Sequence, residues 1–147
     1  MKITIVIVIV VFVLFSCGNI KISTPEGFAK IKSGHTFQAI SPEGLPFQVK
    51  WFKNYPEKDL SFWAQALRSH LEQEGYRFIS TVSLDLGALK MECLEWGAPY
   101  GGADYIYLTA LMVKNNKILL AEAAGEISLY QKYQQALKKS LETLNIP

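Results

Sequence analysis

The chain has 147 residues, half of them hydrophobic and 19% charged, with a formal net charge of +2. That length supports one domain with a substantial core. A balance so near neutral gives no electrostatic case for nucleic acid, and no polybasic run points to lipid headgroups.

The first predicted element is a leader. Lys2 is followed by an apolar run over residues 3–15 that only Thr4 interrupts and that holds no Asp or Glu. This run fits the ~7–15 residues of a signal-peptide apolar core better than the ~20 of a spanning helix. It closes on Leu14-Phe15-Ser16-Cys17, which resembles the lipobox of bacterial lipoproteins. In that motif an aliphatic residue and two further positions precede the cysteine that receives lipid. Ser16 is small, as cleavage before Cys17 requires, whereas Phe15 departs from the usual small or aliphatic residue. The resemblance implies a diacylglycerol thioether on Cys17, cleavage after Ser16 and fatty acylation, such as palmitate, of the new amino terminus. Two or more acyl chains hold a protein stably, at roughly 0.8 kcal/mol per buried CH₂. Gly18 at the next position resembles an outer-membrane sorting signal, which places the protein in the cell envelope at the outer membrane, facing the periplasm. The competing readings are an ordinary secretory peptide with a chance cysteine and an uncleaved short anchor.

The expected organisation is therefore a signal over residues 1–16, a lipidated tether over 17–27 and a single domain over 28–147. Ser23, Thr24, Pro25 and Gly27 in the tether are linker residues. Residues 28–32 and 36–40 alternate as short half-buried strands. Ser41-Pro42-Glu43-Gly44 reads as a tight turn. Residues 47–53 form a third strand with Phe47, Val49 and Trp51 on one face. Asp59 can cap a helix whose stripe is Leu60, Trp63, Ala64, Leu67 and Leu71, and Gly75 can end it in a left-handed conformation.

Residues 76–84 alternate again. A turn at Asp85-Leu86-Gly87 returns the chain over 88–96, and a Gly-rich loop covers 97–103. Residues 105–113 and 118–124 are almost continuously apolar and are joined by the hairpin signal Lys114-Asn115-Asn116-Lys117. Strands covered on both faces lose their alternation, so these two belong mid-sheet and the earlier ones nearer the edges. Ser128 can cap a last helix with Leu129, Tyr133, Ala136, Leu137, Leu141 and Leu144 on its apolar stripe.

The sum is an α+β fold, an antiparallel sheet of six or seven strands flanked by two long helices. Three stretches resemble the PsbP-like superfamily, which includes MOG-type Ran-binding proteins and DcrB-type envelope lipoproteins. They are Ser41-Pro42-Glu43-Gly44, the helix around Phe62-Trp63 ending at Glu74-Gly75-Tyr76, and Ala121-Glu122-Ala123-Ala124-Gly125. The resemblance implies an α/β/α sandwich with a binding or accessory role and brings no common catalytic site.

Candidate site residues are few. With Cys17 lipidated, Cys93 has no intrachain disulfide partner. It lies beside Met91 and Leu89 and reads as a small buried hydrophobe. Glu122 shares a strand face with Ile118, Leu120 and Ala124, so it needs a partner such as Lys or Tyr or else a raised pKa. Pro99-Tyr100-Gly101-Gly102 lacks the helix and Lys-Ser/Thr of a phosphate cradle. Trp96, Tyr100 and Tyr105 make a possible contact patch, aromatics being common both at interfaces and in cores. His35 and His70 read as solvated, and Trp51, Phe52 and Trp63 as packing residues.

No CxxC, HExxH or Cys/His cluster supports a metal site, and no cofactor is called for. No nucleophile–base pair is visible, which ranks a hydrolase last and marks the chain as a non-enzyme. The expectation is a lipid-anchored envelope protein that contacts a partner protein, with no nucleic acid. The alternative is a small-ligand or lipid carrier with an aromatic-lined pocket.

Overall fold

Two tight hairpins set the register of most of the sheet. In the computed structural model, which describes residues 20–32, 34, 36–98 and 104–145, the chain order is β1 (Ala29–Ile31), β2 (Phe37–Ile40), β3 (Pro46–Lys53), α1 (Leu60–Gln73), β4 (Arg77–Leu86), β5 (Leu89–Ala98), β6 (Tyr105–Lys114), β7 (Lys117–Glu126) and α2 (Ile127–Leu141). Asn115, at φ 55°, opens the two-residue loop between β6 and β7, and Gly87, at φ 74°, does the same between β4 and β5. Positive φ at such loops matches the twist of the paired strands. Gly87 with Ala88 is the whole turn, so β4 runs two residues beyond its expected end, to Leu86.

All pairings are antiparallel, in the order β1-β2-β3-β7-β6-β5-β4. The two continuously apolar strands, β6 and β7, lie inside the sheet, as expected. The three-residue β1 and the alternating β4 are its edges. Within β5, Met91 and Cys93 belong to one apolar cluster with Tyr130, Tyr133, Leu137 and Leu141 of α2. Leu94 and Trp96 belong to another with Leu67 and Leu71 of α1. Successive strand residues point to opposite faces, so the helices lie on opposite sides of the sheet.

Each helix end has an identifiable cause. Asp59 Oδ1 accepts from the Phe62 N–H at 2.9 Å, satisfying one orphan donor of α1. At the other end Gly75 adopts φ 89°, its N–H donates to Glu72 O at 3.1 Å, and Tyr76 N–H donates to Leu71 O at 2.9 Å. That is the paired-bond termination glycine permits, and Tyr76 and Leu71 pack together within the α1 cluster. The expected cap at Ser128 is not used. α2 begins at Ile127 directly after β7, Glu126 holds the cap position without a side-chain bond, and the Ile127 N–H donates to Asp104 O at 2.9 Å. With no connecting loop between strand and helix, Ser128 falls inside the first turn.

Residues 20–27, expected as free tether, are laid along α2 instead. Lys21 and Asn145 exchange backbone hydrogen bonds of 2.9 and 2.8 Å. Ser23 N–H donates to Thr143 Oγ1, and Ser140 Oγ donates to Ser23 O. Ile20 and Ile22 pack on the α2-side core, and the Phe28 ring meets Tyr133 edge-on at 5.1 Å. The packed domain therefore includes residues from Ile20 onward, which a free tether would leave out. Cys17 and the rest of the lipobox lie outside the described residues.

Candidate functional site

A helix is about 10–12 Å across and strands repeat every 4.7–4.9 Å, so one helix cannot cover seven strands. α1 packs against β4, β5 and β6. On its side of the sheet β2, β3 and β7 are left without a helix, and this open strip carries the strongest polar cluster among the described residues.

Glu122 is its centre. The register places Gln48 of β3 and Thr109 of β6 on either side of it, all on the α1-facing surface. Tyr107 Oη donates to Glu122 Oε1 at 2.5 Å, Gln48 Nε2 donates to Oε2 at 2.8 Å, and Lys50 Nζ lies 2.9 Å from the same Oε2. Glu122 thus meets the expectation of a Lys or Tyr partner by having both, with an amide besides. Tyr107 in turn leans on Tyr76 at 5.4 Å between centroids, which ties the cluster to the end of α1. A cleft of about 320 Å³ opens above it, bordered by Ile31, Gln38, Ile40 and Pro46 from β1, β2 and β3. Ile31 is 42% and Ile40 36% exposed, both on the same face as Glu122.

The carboxylate already accepts three donors and is held in place, and among the described residues no Ser, Cys or His lines this cleft.

Trp96 of the sequence-selected patch is not on the surface. Trp96 is fully buried under α1, its Nε1 donating to Thr109 Oγ1 at 3.1 Å and its ring meeting Phe78 at 5.6 Å. Its alternation with Cys93 and Glu95 puts it on the face α1 covers, so its indole serves the core. Tyr105 is half-buried at the start of β6, and Tyr100 lies outside the described residues, as does His35. His70 is exposed on α1. Trp51 and Trp63 are half-buried, the latter donating to Asn54 Oδ1 at 2.7 Å, while Phe52 is exposed. The residues sequence reasoning missed are Gln48, Lys50 and Tyr107, which meet Glu122 only through pairing between distant strands.

Cys93 is buried beside a smaller cavity of about 210 Å³ under α2, next to Glu95 and Tyr130. Burial first, and then Glu92 and Glu95, push its thiol up to about 12, so it stays protonated and inert. Burial and the neighbouring Glu95 likewise raise Tyr130. Among the described residues no group of His, Cys, Asp and Glu is placed to hold a metal ion. No helix among them is long and apolar enough to cross a membrane.

No protein-family model and no curated protein sequence matches the chain. Solved structures do. LpqN of Mycobacterium tuberculosis, involved in cell envelope biogenesis, superposes with a TM-score of 0.67 at 13% identity over 88% of this chain and 83% of its own. The cyanobacterial PsbP of Synechocystis, CyanoP, gives 0.64 at 9% identity over 88% and 87%. A Pseudomonas aeruginosa protein of unknown function gives 0.63 at 9% over 80% and 96%. The chain has the PsbP-like fold, and identities this low carry the fold alone.

Proposed function

We propose that this chain is a lipid-anchored protein of the bacterial cell envelope whose domain binds a partner protein and catalyses nothing. The observation that carries the binding role is the open strip on the α1 side, where exposed Ile31 and Ile40 border a carboxylate held by Tyr107, Gln48 and Lys50. Apolar rims around a fixed charge suit a protein surface, because the rings and aliphatics supply area while the charge selects orientation. A carrier is less well supported, since the cleft sits at the low end of the roughly 300–1,000 Å³ of ligand pockets and Phe47 and Tyr107 are its two aromatics. The envelope location rests on the leader, on Cys17 as the acylated residue, and on the shared fold of an envelope-biogenesis protein. Outer-membrane placement facing the periplasm rests on Gly18.

The test is photo-crosslinking in cells from a photoreactive residue at position 40, with position 70 on exposed α1 as control. One discrete adduct from position 40, lost in Ile31→Asp, is expected. Equal, diffuse adducts from both positions overturn the partner reading. Mass spectrometry of the purified protein tests the anchor, which an unmodified Cys17 thiol or an intact leader refutes.

A further inference from the structure

The lysines that the sequence scatters are gathered by the fold at one end of the sheet. Lys53, the last residue of β3, pairs with Lys117, which itself pairs with Lys114 across the β6–β7 hairpin. Asn54 N–H donates to Asn116 O at 2.7 Å, holding residues 54–59 against that hairpin tip. Lys114 Nζ donates to Asn145 Oδ1 at 3.3 Å, and Asn145 is the residue bridged to Lys21. Lys21, Lys53, Lys58, Lys114 and Lys117 thus share one end of the molecule.

Exposed aromatics are interleaved with them. Phe52 is 47%, Tyr55 78% and Phe62 43% exposed. Lys53 Nζ sits 5.8 Å from the Tyr55 ring centroid and Lys58 Nζ 5.5 Å from that of Phe62. The acids of this loop are Glu57 and Asp59, and Asp59 is engaged in capping α1. The opposite end, where β7 meets α2 and α1 ends, carries Glu43, Glu74, Asp104 and Glu126, together with Arg77 and with Lys132, which pairs with Glu43. The lysines and aromatics at the hairpin end thus form a local patch on a near-neutral chain.

The leash fixes which end meets the membrane. Ile20 is the first described residue, beside Lys21, and only three residue steps separate it from Cys17. Three residues reach at most about 11 Å when extended. If acyl chains on Cys17 enter a bilayer, the lysine–aromatic end is held about one Debye length from its surface, where charge attraction still acts. Aromatic rings prefer the headgroup zone, and lysines beside them meet anionic lipid.

We infer that this end, formed by Lys53, Tyr55, Lys58, Phe62 and the β6–β7 hairpin, docks on anionic phospholipid headgroups and holds the sheet upright with its cleft facing away from the hairpin end. This rests on the lipidation of Cys17 proposed above. The full-length protein, purified from membranes, is reconstituted into POPC vesicles with and without POPG. A nitroxide is placed through Glu57→Cys at the docking end or Glu126→Cys at the far end, Cys93 being buried and inert. Flotation reads attachment, and nitroxide collision with oxygen against a water-soluble nickel chelate reads depth.

With POPG the label at 57 is expected in the headgroup zone and that at 126 in water. Lys53→Glu with Lys58→Glu is expected to lower the docked fraction at least tenfold while the protein still floats, and Tyr55→Ser to lower it severalfold. Floating protein whose label at 57 stays aqueous, or docks equally without POPG and after charge reversal, overturns the inference alone. A label shielded in native membranes but aqueous in POPG vesicles also overturns it, assigning this end to a protein. Protein that does not float overturns the anchor, and the leash argument with it.

Discussion

Replacing Glu122 by Gln keeps the shape of the side chain and an acceptor for Tyr107 while removing the charge that faces Lys50. The pair is close, with 2.9 Å between Nζ and Oε2, and only partly solvated, at 33% exposure for Lys50 and 15% for Glu122. Unit charges 4 Å apart attract by about 4 kcal/mol at the effective dielectric of a protein surface. Desolvation and lysine ordering cancel most of that. Fully exposed pairs net about 0.2–1 kcal/mol, whereas breaking a buried pair costs about 3–5. A pair between those limits should couple by about 1–2 kcal/mol. The assay is a double-mutant cycle of Glu122→Gln, Lys50→Met and the double variant by urea unfolding. In the double variant the apolar stem of residue 50 still covers the strip, so stability should recover part of what either single change loses. Melting temperatures should follow at roughly 3–5 °C per kcal/mol for a domain of this size. A coupling below about 0.3 kcal/mol would falsify the view that Lys50 holds the carboxylate.

Three further perturbations test other parts of the structure. Gly125→Ala would drive a Cβ into the Cδ1 of Leu45, which is buried with 1% of its surface exposed, so a loss of about 1–3 kcal/mol is expected by thermal unfolding, partly restored by Leu45→Val. Hydrogen bonds from Lys132 and Tyr133 hold the Glu43 carboxyl at about 2, below its ordinary 4.5. A depressed folded pKa contributes stability that is full above the unfolded value and is lost as pH falls toward 2. Glu43→Gln should therefore flatten the fall in melting temperature between pH 4.5 and 2 and leave its slope near neutrality unchanged; an unaltered acid limb refutes the assignment. Cys93, its thiol pushed up to about 12, should resist alkylation at pH 8 in the folded protein and react in urea, and rapid native labelling would show that α2 does not seal it.

Local chemistry made most elements readable and long-range pairing hid the rest. Asp59, Gly75 and the Asn115-Asn116 turn act within a few residues of themselves, and each does in the fold what its type implies. The continuous apolar character of residues 105–113 and 118–124 made their interior position in the sheet legible, although only β6 is covered by a helix on both faces and β7 stays open on the α1 side. It says nothing about which strand lies beyond β7. That strand is β3, about 70 residues earlier, and it brings Gln48 and Lys50 to Glu122. An acid on an apolar face announced that it needed a partner without naming it. Trp96 misled for the opposite reason. Its neighbours in sequence suggested an exposed aromatic group, whereas its place two residues after Leu94 put it on the face that α1 buries.

The half-covered sheet explains why recognition concentrates where it does. Six gaps between seven strands span roughly 30 Å, about three helix widths. α1 sits over β4–β6 and α2 over β6 and β7 on the other face, so each side keeps strands that no helix covers. On the α2 side the uncovered strands include the β4 edge, where Val82 is exposed and Cys93 lies beneath. There the polar residues Ser80 and Glu95 pair with each other across the strands. On the α1 side the open strip instead combines exposed Ile31 and Ile40 with a carboxylate drawn into a three-donor cage. Burying that carboxylate against a partner costs little extra desolvation, since its lone pairs are already engaged, whereas an uncaged acid would have to shed water first. The arrangement thus keeps a charge available for orientation while leaving apolar area to drive association.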